Sequence, residues 1–271
     1  MEKIGLKHSI DLDANDPLRE LRSEFLLAET GSIHFDANSM GAMPKTVPEK
    51  VAWMLNEGWR NLGRQGWSKL DWIDQPKKLG NGIAHLLGAQ PEDVVVCDNT
   101  SINLHKLISY AWGIKNSGNI LLTESNHFPT DVYIAEGWIK SLKNYGIDAE
   151  IRFADSQEQL LDCLDENVAV VNVSYVDYRT SLRWDMGRLM QKAQEVGALV
   201  VWDLSHAAGA VEIDLMGNDA DFAVGCGYKY LCGGPGAPAY LFIQPRHQNK
   251  KWPSIPGWMG HLDIYAFSGR Y

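Results

Sequence analysis

The sequence lacks most of the features that would sort it quickly into a class. Its four cysteines, Cys97, Cys163, Cys226 and Cys232, are scattered and form no C-x-x-C pair. Disulfide frameworks and zinc sites need closely paired cysteines, so both are disfavoured and a reducing cytosol suits the chain best. No apolar run is long enough to span a bilayer. The opening stretch, MEKIGLKHSIDLDANDPLRE, has no apolar signal core, so nothing in it marks the chain for export. Positive charge is in deficit: the net charge is −9 and the pI about 5.3, which disfavours nucleic acid or anionic membrane as the main partner. There is no internal repeat and no low-complexity segment. No G-x-G-x-x-G follows the first strand, which disfavours a nicotinamide-binding Rossmann domain.

What is present is a large apolar fraction. With 271 residues, 45% of them hydrophobic, the chain can bury the core of one large domain, or of one domain and part of another. Ten tryptophans belong mostly to core or subunit interface. The first 45 residues read as irregular, with Gly31, Gly41 and Pro44 as breakers. From Thr46 the spacing of Val47, Val51, Met54, Leu55 and Trp59 predicts a helix with one apolar face. A regular alternation follows. Strands are predicted over 94–98, 119–125, 150–154, 168–176, 198–204, 221–226 and 237–243. Helices are predicted over 101–112, 130–145, 156–166 (with a Ser cap) and 186–197 (ended by Gly197). Continuous apolar strands between amphipathic helices indicate an α/β fold with a mostly parallel sheet. Ligands of such sheets collect at the carboxyl ends of the strands.

The residues just past those ends carry chemistry. Asn99, Thr100 and Ser101 follow the first strand. They read as a plain helix cap or as a phosphate cup of hydroxyls and free N–H groups. NHFPTD (126–131) follows the second. Phe128 is either core or a flat platform for a heteroaromatic ring, and Pro129, Thr130 and Asp131 suit a helix start. Ser174 places another hydroxyl at a strand end. Asp203 closes the apolar run ALVVWD, where a carboxylate is costly unless paired. It is either a structural cap of the next turn or the partner of a cationic ring nitrogen. His206 lies three residues on. Lys229 sits between two tyrosines before a Gly-Gly-Pro-Gly run. Alone it reads equally well as a solvated lysine whose stem lies along apolar surface. Pyridoxal phosphate needs a lysine amine for its aldehyde, an Asp for its pyridine nitrogen, an apolar or aromatic face, and hydroxyls at a helix N-terminus for its phosphate. All of these occur here in workable order, each at a strand exit.

FDANSMGAMP (35–44), NTSINLH (99–105), NHFPTD (126–131), WDLSHAAGAV (202–211), GCGYKYLCGGPGAPAYLFI (225–243) and GWMGH (257–261) together resemble the motifs of the kynureninase family. These are pyridoxal-phosphate enzymes of the aspartate-aminotransferase fold type. The resemblance implies a three-layer α/β/α sandwich, with an N-terminal segment over 1–45, the cofactor-binding large domain over 46–262, and the start of a C-terminal region over 263–271. It implies Lys229 as the Schiff-base lysine and Asp203 as the partner of the ring nitrogen. Further cofactor contacts are implied at Thr100, Ser101, Phe128, Pro129, Thr130, Asp131, Ser174, His206, Tyr228 and Trp258. It implies hydrolytic Cβ–Cγ cleavage of L-kynurenine or 3-hydroxy-L-kynurenine to anthranilate or 3-hydroxyanthranilate and L-alanine, a step of tryptophan catabolism and NAD biosynthesis. It also implies a cytoplasmic homodimer with no metal, to which Trp258 and the loop around Asn38 and Ser39 contribute across the interface. Some family members carry a His in the early loop that reads GRQGW (63–67) here, where Arg64 stands. The family's C-terminal small domain, with an arginine for the substrate carboxylate and an asparagine near the cofactor, has no counterpart in this sequence. The chain is thus expected to be a fragment or a shortened relative, to bind the cofactor weakly and to turn over poorly. The alternatives are another enzyme of the same fold type, such as a cysteine desulfurase or aminotransferase, and a non-catalytic relative kept as a binding or dimerisation partner.

Overall fold

The computed structural model describes residues 5–29, 31–115, 117–251, 253–261 and 263–269. The expected domain boundary at residue 262 and the last two residues lie outside them. The first 45 residues are more ordered than their breakers suggested. They form helix α1 (Leu6–Asn15), a 3-10 turn (Arg19–Glu24) and a two-stranded ribbon of β1 (Phe25–Leu26) and β2 (Met43–Pro44). The helix expected from Thr46 is α2 (Val47–Trp53), which runs on as a π-helix over Met54–Leu62. Among the described residues its apolar face is left largely uncovered: Val51, Trp53, Met54, Leu55 and Trp59 are exposed, Trp59 by 70%. The short α3 (Gly66–Lys69) and then α4 (Gln75–Leu86) follow, neither anticipated. In α4 the apolar positions are interrupted by Lys77, Lys78, Gly80 and Gly82. Gly80 is what lets it lie on the sheet, since a Cβ there would stand 2.1 Å from the Val94 carbonyl oxygen.

Beyond α4 the expected alternation is present with small shifts at the ends. It runs β3 (Val94–Cys97), α5 (Thr100–Ile114), β4 (Ile120–Glu124), α6 (Pro129–Asn144), β5 (Glu150–Ala154), α7 (Gln157–Asp162), β6 (Val168–Ser174), α8 (Met186–Val196), β7 (Leu199–Asp203), β8 (Phe222–Gly225) and β9 (Ala239–Ile243). Ser156 caps α7 through its hydroxyl, as expected, and α8 ends on Gly197 at φ +70°. The seven long strands form one sheet in the order β3-β9-β8-β7-β6-β4-β5. All neighbours run parallel except β9, which is antiparallel to both β3 and β8. A parallel return needs a crossover, usually helical, and the Lys229 loop between β8 and β9 holds no helix, so the chain doubles back.

Alternate strand residues feed two cores, one on each face of the sheet. Ile120, Leu122, Val171, Val173, Trp202, Ala223 and Phe242 pack with α4, α7 and α8. Leu121, Val170, Val201, Phe222, Val224 and Leu241 pack with α5 and α6. The result is the expected three-layer α/β/α sandwich with a mostly parallel sheet. By the period of two, Asp203 shares the α5/α6 face with Val201, and Ser174 shares it with Asn172.

Candidate active site

Register places the functional groups along one edge. Ser174 pairs with Asp203, Asp203 with Val224, Gly225 with Tyr240, and Ala239 with Cys97. The carboxyl ends of β3, β4, β6, β7 and β8 therefore open onto a common rim. The residues after them are the beginnings of α5 and α6, the turn with His206 and the loop with Lys229.

At the centre is Lys229, only 6% exposed. Its Nζ lies 2.7 Å from His206 Nε2. Burial and the lysine charge both lower the His206 pKa. The imidazole is thus held neutral, in hydrogen-bond contact with the lysine amine through Nε2, and Nδ1 has no hydrogen-bond partner among the described residues. The same Nζ stands 5.4 Å from the ring centre of Phe128 and 5.8 Å from that of Tyr228. Tyr178, in the YVDYRT stretch after β6, closes this aromatic wall. Its ring centre is 5.1 Å from Phe128 and 6.1 Å from His206.

Asp203 supports both of its sequence readings. Its Oδ1 accepts from the N–H and the hydroxyl of Ser205, at 2.9 and 2.6 Å, which caps the following turn. Its Oδ2 has a long contact from the Ser174 hydroxyl, 3.4 Å. Asp131 meets Asp203 from the first turn of α6. Burial first, and then the charge of Asp203, raise the Asp131 pKa well above the carboxylate range, while Lys229 opposes. Two carboxyls and one ammonium in a buried site are costly to assemble for stability alone, and such clusters are the mark of chemistry.

At α5 the cap is Asn99, whose Oδ1 accepts from the Ile102 N–H at 3.0 Å, rather than Thr100 or Ser101. That leaves the hydroxyls of Thr100 and Ser101 on the first turn without a protein partner among the described residues, the arrangement a phosphate needs. Glycine shapes the lysine loop. A Cβ on Gly227 would stand 2.4 Å from the Pro238 carbonyl, and one on Gly233 2.7 Å from the Gly227 carbonyl. The early motif docks here as well: the Gly41 N–H donates to the Tyr228 carbonyl at 3.0 Å.

Of the residues singled out in the sequence, Phe128, Asp131, Ser174, Asp203, His206, Tyr228 and Lys229 come together. Pro129 and Thr130 form the adjoining first turn of α6. Thr100 and Ser101 lie farther along the same rim. Trp258 is placed apart from the cluster: it packs edge-on against Trp67 and face to face with Phe267, and its indole N–H donates to the Ile264 carbonyl. Sequence reasoning did not single out Tyr178, Ser205 or His127. Tyr178 and Ser205 carry no pattern of their own. His127 had one, being four residues ahead of Asp131 in NHFPTD. Among the described residues no cluster of His, Cys, Asp and Glu could hold a metal ion.

A buried lysine amine with a neutral partner, an aromatic wall and a buried carboxyl define a carbonyl-binding lysine site. Its place beyond the strand ends is that of pyridoxal-phosphate enzymes. The chain belongs to the aminotransferase class-V family, whose profile matches residues 33–257. It is 40% identical over 264 residues to the kynureninase of Pseudomonas fluorescens, and 39% identical to that of Burkholderia mallei (strain SAVP1). Each alignment covers 96% of this chain and 62% of the relative, so the chain spans about 62% of the length of those proteins. In fold it resembles the cysteine desulfurase CsdA of Escherichia coli (TM-score 0.68, 16% identity, 84% of this chain and 58% of that one). It also resembles a C-DES variant with glycine covalently linked to its PLP cofactor (TM-score 0.65, 17% identity, 80% and 58%). Pyridoxal phosphate is the cofactor of this group of enzymes. The residues present fit it: an amine for the aldehyde, a buried carboxyl for the ring nitrogen, aromatic faces, and hydroxyls without a partner among the described residues at a helix start.

Proposed function

We propose that this chain is the cofactor-binding part of a kynureninase, hydrolysing the Cβ–Cγ bond of L-kynurenine or its 3-hydroxy form to the corresponding anthranilate and L-alanine. The observation that carries the reading is the buried Lys229 amine, held by neutral His206 and walled by Phe128 and Tyr228, in a chain similar to kynureninases over almost its whole length. When bound, pyridoxal phosphate supplies an aldehyde that links covalently to amines and a ring that takes up electrons from the substrate's α carbon.

The protein's part follows from the geometry. Lys229 Nζ is the amine that takes the aldehyde, and the glycines around it allow the loop's tight path. As a free amine, Nζ would serve as the base for the substrate's α proton. Neutral His206 is in hydrogen-bond contact with it and so fixes its direction. Asp203, anchored on one oxygen by Ser205, would hold the ring nitrogen. Phe128 would shield one face of the ring from water. Thr100, Ser101 and the N–H groups of the first turn of α5 would receive the phosphate, together with Tyr228 of the lysine loop.

A second copy of the chain is part of the reading. Trp53, Trp59, Ile33 and Phe35 are exposed, Phe35 by 90%, and an apolar surface of that kind suits a homodimer that brings Trp258 and the loop near Asn38 to the partner's rim. A cytosolic setting accords with the four cysteines, which are all free. The desulfurase alternative needs a reactive thiolate. Burial instead raises the pKa of Cys97, to about 11, and of Cys226 and Cys232, the direction of inert thiols.

The test is an absorption spectrum with added pyridoxal phosphate, wild type beside Lys229→Ala, followed by a kynurenine cleavage assay and a sulfide-release assay. A visible band in the wild type only, with anthranilate formed, supports the reading. Release of sulfide from cysteine without kynurenine cleavage supports the desulfurase. No band in either protein overturns the cofactor role of Lys229.

A further inference from the structure

Behind the carboxyl pair lies a group that the proposed chemistry does not use. His127 has a fully buried side chain, and Asp131 beside it is almost as completely enclosed. His127 Nδ1 and Asp131 Oδ2 are 3.3 Å apart. Both ring nitrogens of His127 and Oδ2 of Asp131 are buried, and among the described residues none of the three makes a well-formed hydrogen bond, although the Phe128 and Val173 carbonyls act on the ring. A buried imidazole with two unmet nitrogens is a cost that a Leu or Phe at the same place would avoid. The groups facing the ring are few. They are the carboxyls of Asp131 on α6, Asp203 at the end of β7 and Asp177 beyond β6, with the main-chain carbonyls of Phe128 and Val173. Burial lowers the His127 pKa, so the ring is neutral, with one N–H to donate and one lone pair.

The pattern within NHFPTD explains the contact. The helix begins at Pro129, and its first turn brings Asp131 back over residue 127. Asp131 Oδ2 is the oxygen that faces Nδ1. A donor there steadies one end of the Asp131 carboxyl, and the other end meets Asp203. Contacts of this kind are often poorly aligned in an empty site and tighten when the ligand arrives.

We propose that His127 is a positioning residue for the cofactor site: through an Nδ1–H bond to Asp131 it holds the Asp131–Asp203 carboxyl pair in the arrangement that serves the ring nitrogen of a bound pyridine. It touches neither substrate nor cofactor. The inference rests on the pyridoxal-phosphate reading above, and its test is separable from that reading.

The experiment compares wild type, His127→Asn, His127→Gln and His127→Leu, all as the full chain loaded with pyridoxal phosphate. An Asn amide nitrogen falls where Nδ1 does and can still donate to Asp131; a Gln amide falls where Nε2 does, and Leu donates nothing. The readouts are the pH midpoint of the cofactor's visible absorbance and its dissociation constant. Losing the donor removes one contact of the Asp131 carboxyl and disturbs the Asp131–Asp203 pair beside the ring nitrogen. The midpoint should therefore shift by about one pH unit in His127→Gln and His127→Leu, with affinity falling roughly tenfold. His127→Asn should stay close to wild type in both. A role in packing alone would lower the melting temperature of the variants and leave the midpoint in place. Equal midpoints and affinities in all four proteins overturn the proposal while leaving the cofactor reading intact. If His127→Leu does not fold, the comparison of Asn with Gln decides. A wild type with no visible band at any pH sinks the cofactor reading, and this inference with it.

Discussion

Gly41 offers the sharpest test of how the N-terminal segment serves the lysine loop. It lies in FDANSMGAMP, and its N–H donates to the Tyr228 carbonyl at 3.0 Å. A Cβ at this position would stand 2.1 Å from the Lys229 carbonyl oxygen, 2.9 Å from Cys232 Sγ and 3.0 Å from Cys232 Cα. Two of those three atoms are backbone, so no side-chain rotation relieves the clash. Gly41→Ala must push the two loops apart. Overpacking of this kind costs about 1–3 kcal/mol, and the strained or broken hydrogen bond adds about 1 kcal/mol, giving about 2–4 kcal/mol in all. For a chain of this size that is a fall in Tm of roughly 5–15 °C. Because the displaced groups are the carbonyls of Tyr228 and Lys229, pyridoxal phosphate affinity should fall as well. Calorimetry and a cofactor titration read the two effects side by side. A Gly41→Ala protein with wild-type affinity and a Tm within about 1 °C of wild type would show that the early loop is not seated on the lysine loop.

The opposite sign is expected at Gly137, an exposed position inside α6 where an added Cβ would meet nothing within 4 Å. Gly137→Ala should stabilise by up to about 1 kcal/mol and raise Tm by about 2–4 °C, since the helix gains without any clash; an unchanged or lower Tm by calorimetry would count against it. A pH effect follows from His206. Its folded pKa lies below the ordinary 6.5, so as pH falls below 6.5 the unfolded chain takes up a proton that the folded chain refuses, and stability falls. In the cofactor-free protein, denaturant titrations between pH 7 and 5 should show a slope smaller by about 1.4 kcal/mol per pH unit in His206→Gln than in wild type. Identical slopes would mean that the imidazole is not held neutral.

The central strands of the main sheet were legible because they are buried on both faces and so read as apolar runs, ILLTE, VAVVNVS and LVVWD among them. Helices with a clear cap or stop, such as α7 after Ser156 and α8 before Gly197, were legible for the same local reason. α4 was not, because its contact with the sheet depends on Gly80, whose role appears only once Val94 lies against it. The apolar face of α2 and the π-helix was legible as a pattern, yet among the described residues it stays largely exposed, since a periodicity says that a face is apolar and not what covers it.

The chemistry divides in the same way. Residue order alone supplied the inventory: a lysine among glycines, an Asp closing an apolar strand, hydroxyls at a helix start and an aromatic residue before Pro129. These depend on residue type and on position relative to strand ends, which are local properties. Which of them meet was settled by folding in three dimensions. Folding made Asn99 the cap and left the Thr100 and Ser101 hydroxyls without a partner among the described residues, turned β9 antiparallel, and set Trp258 against Trp67 and Phe267 instead of in the lysine cluster. It also brought His127 and Asp131 together behind Asp203. Those outcomes depend on strand register and on the packing of α5 and α6 over one face of the sheet, and long-range contacts of that kind leave no local trace in the order of residues.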